Sequence, residues 1–252
     1  MTTATVDKVK AGPREFVVQT SGQGEPLVWL HGWEGPEVQR DWADRLSANH
    51  RLVAPQMPGT AGTEADADFH EMHNVVTAYL DLFDALGLES FDLAGHSLGA
   101  MFAAEIAAMA TKRVRRMVLV APLGLWFDEA PLPDFVPSGG PALARMIWAD
   151  PASDVVAANG LPVIERTANV GTATSYLWPI ADRGLSARIH RLTMPVLLLR
   201  GEKDGVVSDA YVDRYLKHLP RGQAATVAGA AHYPQLEQPE AFVQQLETFL
   251  KG

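Results

Sequence analysis

The chain contains no cysteine. That absence excludes disulfides, thiolate nucleophiles and thiolate-held metals together. Basic residues are scarce as well: 21 Lys and Arg stand against 30 Asp and Glu, a net charge of −9. No basic stripe is left to neutralise phosphates, so nucleic acid is not an expected partner. The one basic cluster, Lys112-Arg113-Val114-Arg115-Arg116, sits where a helical pattern gives way to a strand. It reads as the charge bias of a helix C-terminus. No apolar run approaches the roughly 18 residues needed to cross a bilayer. Met1 to Asp7 lacks the apolar centre of a secretory signal, so the expectation is a cytoplasmic protein with no membrane partner. Phosphate loops are missing, since no Gly-Lys-Ser/Thr occurs. His70 and His73 invite a metal reading, but a zinc-protease helix needs its second histidine four places on, where Asn74 stands. No metal and no cofactor are expected.

What is present is 47% hydrophobic and 20% charged, enough to build the core of one large α/β domain. Apolar runs alternate with helical patterns, the signature of a mostly parallel sheet covered on both faces. Strands are expected at 14–20, 27–30, 51–54, 90–94, 117–121, 196–201 and 224–227. Helices are expected at about 36–47, 69–86, 209–219 and 239–250. The segment from about Leu123 to Arg191 differs. It is rich in proline, carries Trp126, Trp148 and Trp178, and shows helical patches such as 142–148 with no continuous strand pattern. That length exceeds a simple connection, so it reads as a helical cap (123–191) inserted into a core formed by 1–122 and 192–252.

Gly95-His96-Ser97-Leu98-Gly99 joins an apolar run to the Ala-rich helical stretch from Ala100 to Ala108. A serine at such a strand–turn–helix junction is forced into a strained backbone, and the flanking glycines let strand and helix approach closely. Its hydroxyl then stands at a strand end, with helix N–H groups aimed at the same spot. This suits attack on a carbonyl.

A serine hydroxyl needs a base to take its proton and an acid to orient that base. His232 follows the last expected strand and Asp204 the one before it, so nucleophile, acid and base each follow a strand, in the order Ser…Asp…His. Asp128, seven residues past Ala121, is the rival acid. For charge on the carbonyl oxygen, the backbone N–H groups of Leu98 and of Trp33, in the His31-Gly32-Trp33 loop, are the candidate donors. Trp126, Phe127, Trp148 and Trp178 have two readings: the core of a small subdomain, or the walls of an apolar substrate pocket over Ser97.

Together these motifs resemble the α/β-hydrolase fold superfamily over residues 14 to about 250. The Gly-x-Ser-x-Gly turn, His31-Gly32, Pro58-Gly59, Gly201-Glu202-Lys203-Asp204 and His232-Tyr233-Pro234-Gln235-Leu236-Glu237-Gln238-Pro239 carry the resemblance. Gln56, where many relatives have Asp, and Ser208, where proline is common, leave the subfamily open. The resemblance implies a central, mostly parallel sheet flanked by helices, with a Ser-Asp-His triad. Serine at position 97 separates the chain from haloalkane dehalogenases and most epoxide hydrolases, which use aspartate there. The expectation is a serine hydrolase of a small, fairly apolar ester, lactone or thioester. A carbon–carbon bond hydrolase of the meta-cleavage-product type is the alternative, and a non-catalytic ligand-binding protein is the rival from another class. The expected partner is a small-molecule substrate, with a homodimer left open.

Overall fold

The computed structural model describes residues 4–36, 40–60, 63, 68–134 and 140–252. Eight strands form one sheet in the order β1-β2-β4-β3-β5-β6-β7-β8. They are β1 (Thr5–Ala11), β2 (Arg14–Ser21), β3 (Pro26–Leu30), β4 (Arg51–Pro55), β5 (Phe91–His96), β6 (Val114–Val120), β7 (Val196–Gly201) and β8 (Gly222–Val227). β1 and β2 form an antiparallel hairpin, and β2 pairs antiparallel with β4. All remaining pairings are parallel. β5 and β7 are buried at every position, which a strand achieves only when both faces of the sheet are covered.

The cover comes from α1 (Asp41–Leu46), α2 (Met72–Ala85), α3 (Leu98–Met109), α8 (Asp209–Leu216), α9 (Pro234–Glu237) and α10 (Pro239–Lys251), whose labels leave α4 to α7 for the inserted segment. On β3, Trp29 meets Trp42 of α1 and Phe242 of α10 at ring distances of 4.5 and 6.1 Å. A second aromatic group joins Phe16, Tyr79 and Phe83 with Phe91 and Phe102. The expected helix at 36–47 is observed as α1; its positions 37–39 lie outside the described residues. β1 was not expected from the sequence, because three of its first five residues are polar or charged and its first four positions are exposed.

From β3 the chain steps to β4 on one side, and from β5 it steps to β6 on the other. Both crossovers are parallel, so their shared handedness sends α1 and α3 to opposite faces and opens a crevice beyond the ends of β3 and β5. Between β6 and β7 the described residues hold helices and no strand: α4 (Gly140–Ile147), α5 (Asp154–Asn159), α6 (Val163–Leu177), α7 (Leu185–Arg188) and a 3-10 turn at Ile189–Arg191. α6 reaches the sheet's rim, where Asn169 donates to the Glu34 carbonyl and Thr172 to that of Gly59. α7 instead packs on α3: Arg188 forks onto the buried Glu105 carboxylate at 2.7 and 2.9 Å. None of the described helices is long and apolar enough to cross a membrane.

Candidate active site

β5 ends at His96, and Ser97 follows with φ 53° and ψ −114°, a left-handed backbone that a side chain adopts only under constraint. The constraint is close packing. A Cβ built on Gly95 would stand 2.4 Å from the Gly99 carbonyl oxygen, and one on Gly99 would stand 2.1 Å from that of Leu30. No side chain fits at either place. The Ser97 N–H donates to the Val120 carbonyl of β6 at 2.8 Å, while its own carbonyl begins α3 by accepting from Ala100 and Met101. Ser97 is thus pinned from both neighbours, with its hydroxyl at the crevice.

The loops after β7 and β8 bring the other two groups to that hydroxyl. His232 Nε2 lies 2.9 Å from Ser97 Oγ, and His232 Nδ1 lies 3.0 and 3.1 Å from the two oxygens of Asp204. A carboxylate can only accept, so Nδ1 carries the proton and bare Nε2 faces the hydroxyl. Asp204 Oδ1 also accepts the N–H groups of Val206 and Val207 at 2.8 and 3.0 Å, which fixes the carboxylate. Ser97 and His232 are 1% and 2% exposed, so this chain of hydrogen bonds sits away from water, where it is strengthened. The rival acid is occupied elsewhere: Asp128 accepts the Trp126 indole N–H on the surface.

On the opposite side lies the loop after β3. A Cβ built on Gly32 would stand 3.5 Å from Ser97 Cβ, so this loop passes against the serine turn. Leu98 opens α3, where the N–H has no acceptor within the helix. His31 holds the loop in place: Nδ1–H donates to the Gly32 carbonyl at 2.7 Å, and Nε2 accepts the Met57 N–H at 2.9 Å. Burial depresses its pKa to about 4, so the ring is neutral in this role.

Of Trp126, Phe127, Trp148 and Trp178, Trp148 has a described ring contact beside the site, stacked on Tyr233 at 4.5 Å. Phe127 packs against Tyr211 and stacks on His218, finding its apolar cover on α8. Trp126 is 36% exposed and Trp178 57% exposed, so both are open to solvent. His73 lies in the first turn of α2 and His70 just before it, where His70 pairs with Glu71 at 3.5 Å. Among the described residues, no three His, Cys, Asp or Glu converge as metal ligands would.

Sequence reasoning gave no role to His96. It is fully buried, and burial together with the nearby His232 holds its pKa well below the ordinary range. Its neutral Nε2–H donates to the His232 carbonyl at 2.7 Å, tying the serine turn to the backbone of the third residue. A polar ring inside an otherwise apolar run was the available signal, because a buried donor needs a partner.

The chain is similar to 2-hydroxy-6-oxo-2,4-heptadienoate hydrolase of Pseudomonas putida, 27% identical with 96% of this chain and 95% of that protein covered. It is similar also to pimeloyl-[acyl-carrier protein] methyl ester esterase of Photobacterium profundum, 28% identical over 92% and 97%. Among solved structures, 2-hydroxy-6-oxo-6-phenylhexa-2,4-dienoate hydrolase of a Rhodococcus species superposes with a TM-score of 0.81 at 20% identity, each chain covered in full. Carboxylesterase CesB of Bacillus subtilis gives a TM-score of 0.77 at 22% identity, over 98% and 92%. Both structural likenesses concern the fold. The model of the alpha/beta hydrolase family matches residues 27–245, a span that runs from β3 past the histidine loop into α10. With strand order, serine turn and that match in agreement, the chain belongs to the alpha/beta hydrolase family.

Proposed function

We propose that the protein is a serine hydrolase that cleaves a small, fairly apolar carboxylic ester through an acyl-enzyme. The observation that carries this reading is the continuous link Ser97 Oγ–His232 Nε2 at 2.9 Å and His232 Nδ1–Asp204 at 3.0 Å. Ser97 Oγ attacks the carbonyl carbon while its proton passes to His232 Nε2. The imidazolium is held by the Asp204 carboxylate, and the oxyanion is met by the Leu98 and Trp33 N–H groups. Each such donor contributes about 3 kcal/mol in the transition state. His232 then protonates the departing alkoxide. A water gives its proton to the same nitrogen and attacks the acyl carbon, and His232 returns that proton to Ser97 Oγ as the acid leaves.

Carbon–carbon hydrolysis of a vinylogous diketone is the second reading. It is favoured by the similarity to hydrolases of the 2-hydroxy-6-oxo-dienoate type, and it uses the same three residues. The test joins a fluorophosphonate probe with two assays, a p-nitrophenyl ester panel and a ring-cleavage dienoate. Probe labelling at Ser97 with faster ester turnover is expected. Preference for the dienoate selects the second reading. No labelling of folded protein returns the chain to the non-catalytic class.

A further inference from the structure

His232 can exchange protons efficiently only if its backbone stays still, and three successive main-chain groups are anchored. The Ala231 N–H donates to Glu237 Oε2 at 2.7 Å, and the His232 N–H donates to the Ile147 carbonyl at 3.1 Å. The His232 carbonyl accepts from His96 at 2.7 Å. Glu237 does more than close its own loop. Its other oxygen, Oε1, accepts the Ala149 N–H at 2.7 Å, joining the histidine loop to the chain leaving α4. The last carbonyls of a helix have no partner within it. Here those of Met146 and Ile147 take N–H groups from Gly205, next to Asp204, and from His232.

The proposed mechanism gives Glu237 no proton to carry. Its carboxyl is half-buried, and that burial raises its pKa above the usual carboxylate range against the pull of its two N–H partners. Both oxygens are used, and both partners are N–H donors, a demand only a carboxylate meets well. Glutamine has the same shape but one carbonyl oxygen, and it turns an NH2 toward an N–H.

We infer that Glu237 is a positioning residue, which fixes the His232 loop against the end of α4 and so keeps the imidazole aligned between Ser97 and Asp204. The inference rests on the hydrolase reading above. The test is Glu237→Gln, with active sites counted by fluorophosphonate titration and folding followed by circular dichroism. We expect a folded variant whose kcat per titrated site falls about ten- to a hundred-fold, with KM within a factor of about two and probe labelling slowed in step. A variant that melts earlier but keeps wild-type kcat per titrated site overturns the inference, because Glu237 would then serve stability alone. Glu237→Ala, which opens both N–H groups to water, carries the same measurement if the glutamine variant does not fold. Failure of the hydrolase reading shows separately, as wild-type protein that the probe does not label.

Discussion

Gly201 lies so close to Ala231 that a Cβ built on it would stand 2.0 Å from the Ala231 carbonyl oxygen. Gly201 ends the strand that leads to Asp204, and Ala231 precedes His232, so the acid and base loops touch through bare backbone. Gly201→Ala is expected to push them apart. Steady-state assay should show kcat/KM lowered at least ~100-fold, with a folded circular dichroism spectrum and a melting temperature reduced by several degrees.

The two candidate acids can be separated by matched substitutions. Asp204→Asn keeps the shape but places an amide against His232 Nδ1, removing the charge that stabilises the imidazolium. Turnover should fall by about 10⁴-fold. Asp128→Asn, which alters only a surface contact with Trp126, should change turnover less than about two-fold. Equal losses would remove Asp204 from its role.

Ser97 is held at φ 53°, so its removal should affect stability as well as chemistry. Ser97→Ala keeps the strained backbone and should lower turnover by at least ~10³-fold with folding preserved. Ser97→Gly should be equally inactive yet more stable than the alanine variant by about 1 kcal/mol, since glycine adopts this conformation without the Cβ clash. Urea unfolding of the pair measures the difference.

Burial of His31 gives the fold an acid weakness. Unfolded, its imidazole takes a proton near pH 6.5; folded, it resists until about pH 4. Between those values the unfolded chain binds more protons, so stability falls as pH drops through the window. The loss from this residue is about 3 kcal/mol by pH 4. His96, depressed for the same reason, acts in the same direction. His31→Gln should flatten the slope of unfolding free energy against pH by up to about 1.4 kcal/mol per unit between pH 4 and 6.5. Urea titrations at several pH values test this.

The central strands could be read from the sequence because parallel strands covered on both faces are nearly pure apolar runs, as in Val196-Leu197-Leu198-Leu199. β1 could not, since an edge strand with exposed faces has no such run to announce it. Ser97, Asp204 and His232 stood out because motif and strand ends pointed to them, but choosing between Asp204 and Asp128 needed distances. Trp126, Phe127 and Trp178 show the limit of composition. An aromatic residue in an inserted segment signals burial or binding without saying which surface it meets, and Phe127 meets α8. Glu237 was quoted only as part of a terminal pattern. The groups it serves are backbone N–H donors, which every residue but proline carries and no sequence distinguishes.

The carbonyls of Met146 and Ile147 make the end of α4 part of the apparatus it covers. Exchanging the whole insertion for that of a relative, to redirect substrate choice, keeps the chemistry only if the new helix end again brings two carbonyls to Gly205 and His232. A graft that retains 140–149 and replaces only 150–184 keeps those acceptors, so the chemistry and the choice of substrate become separately editable.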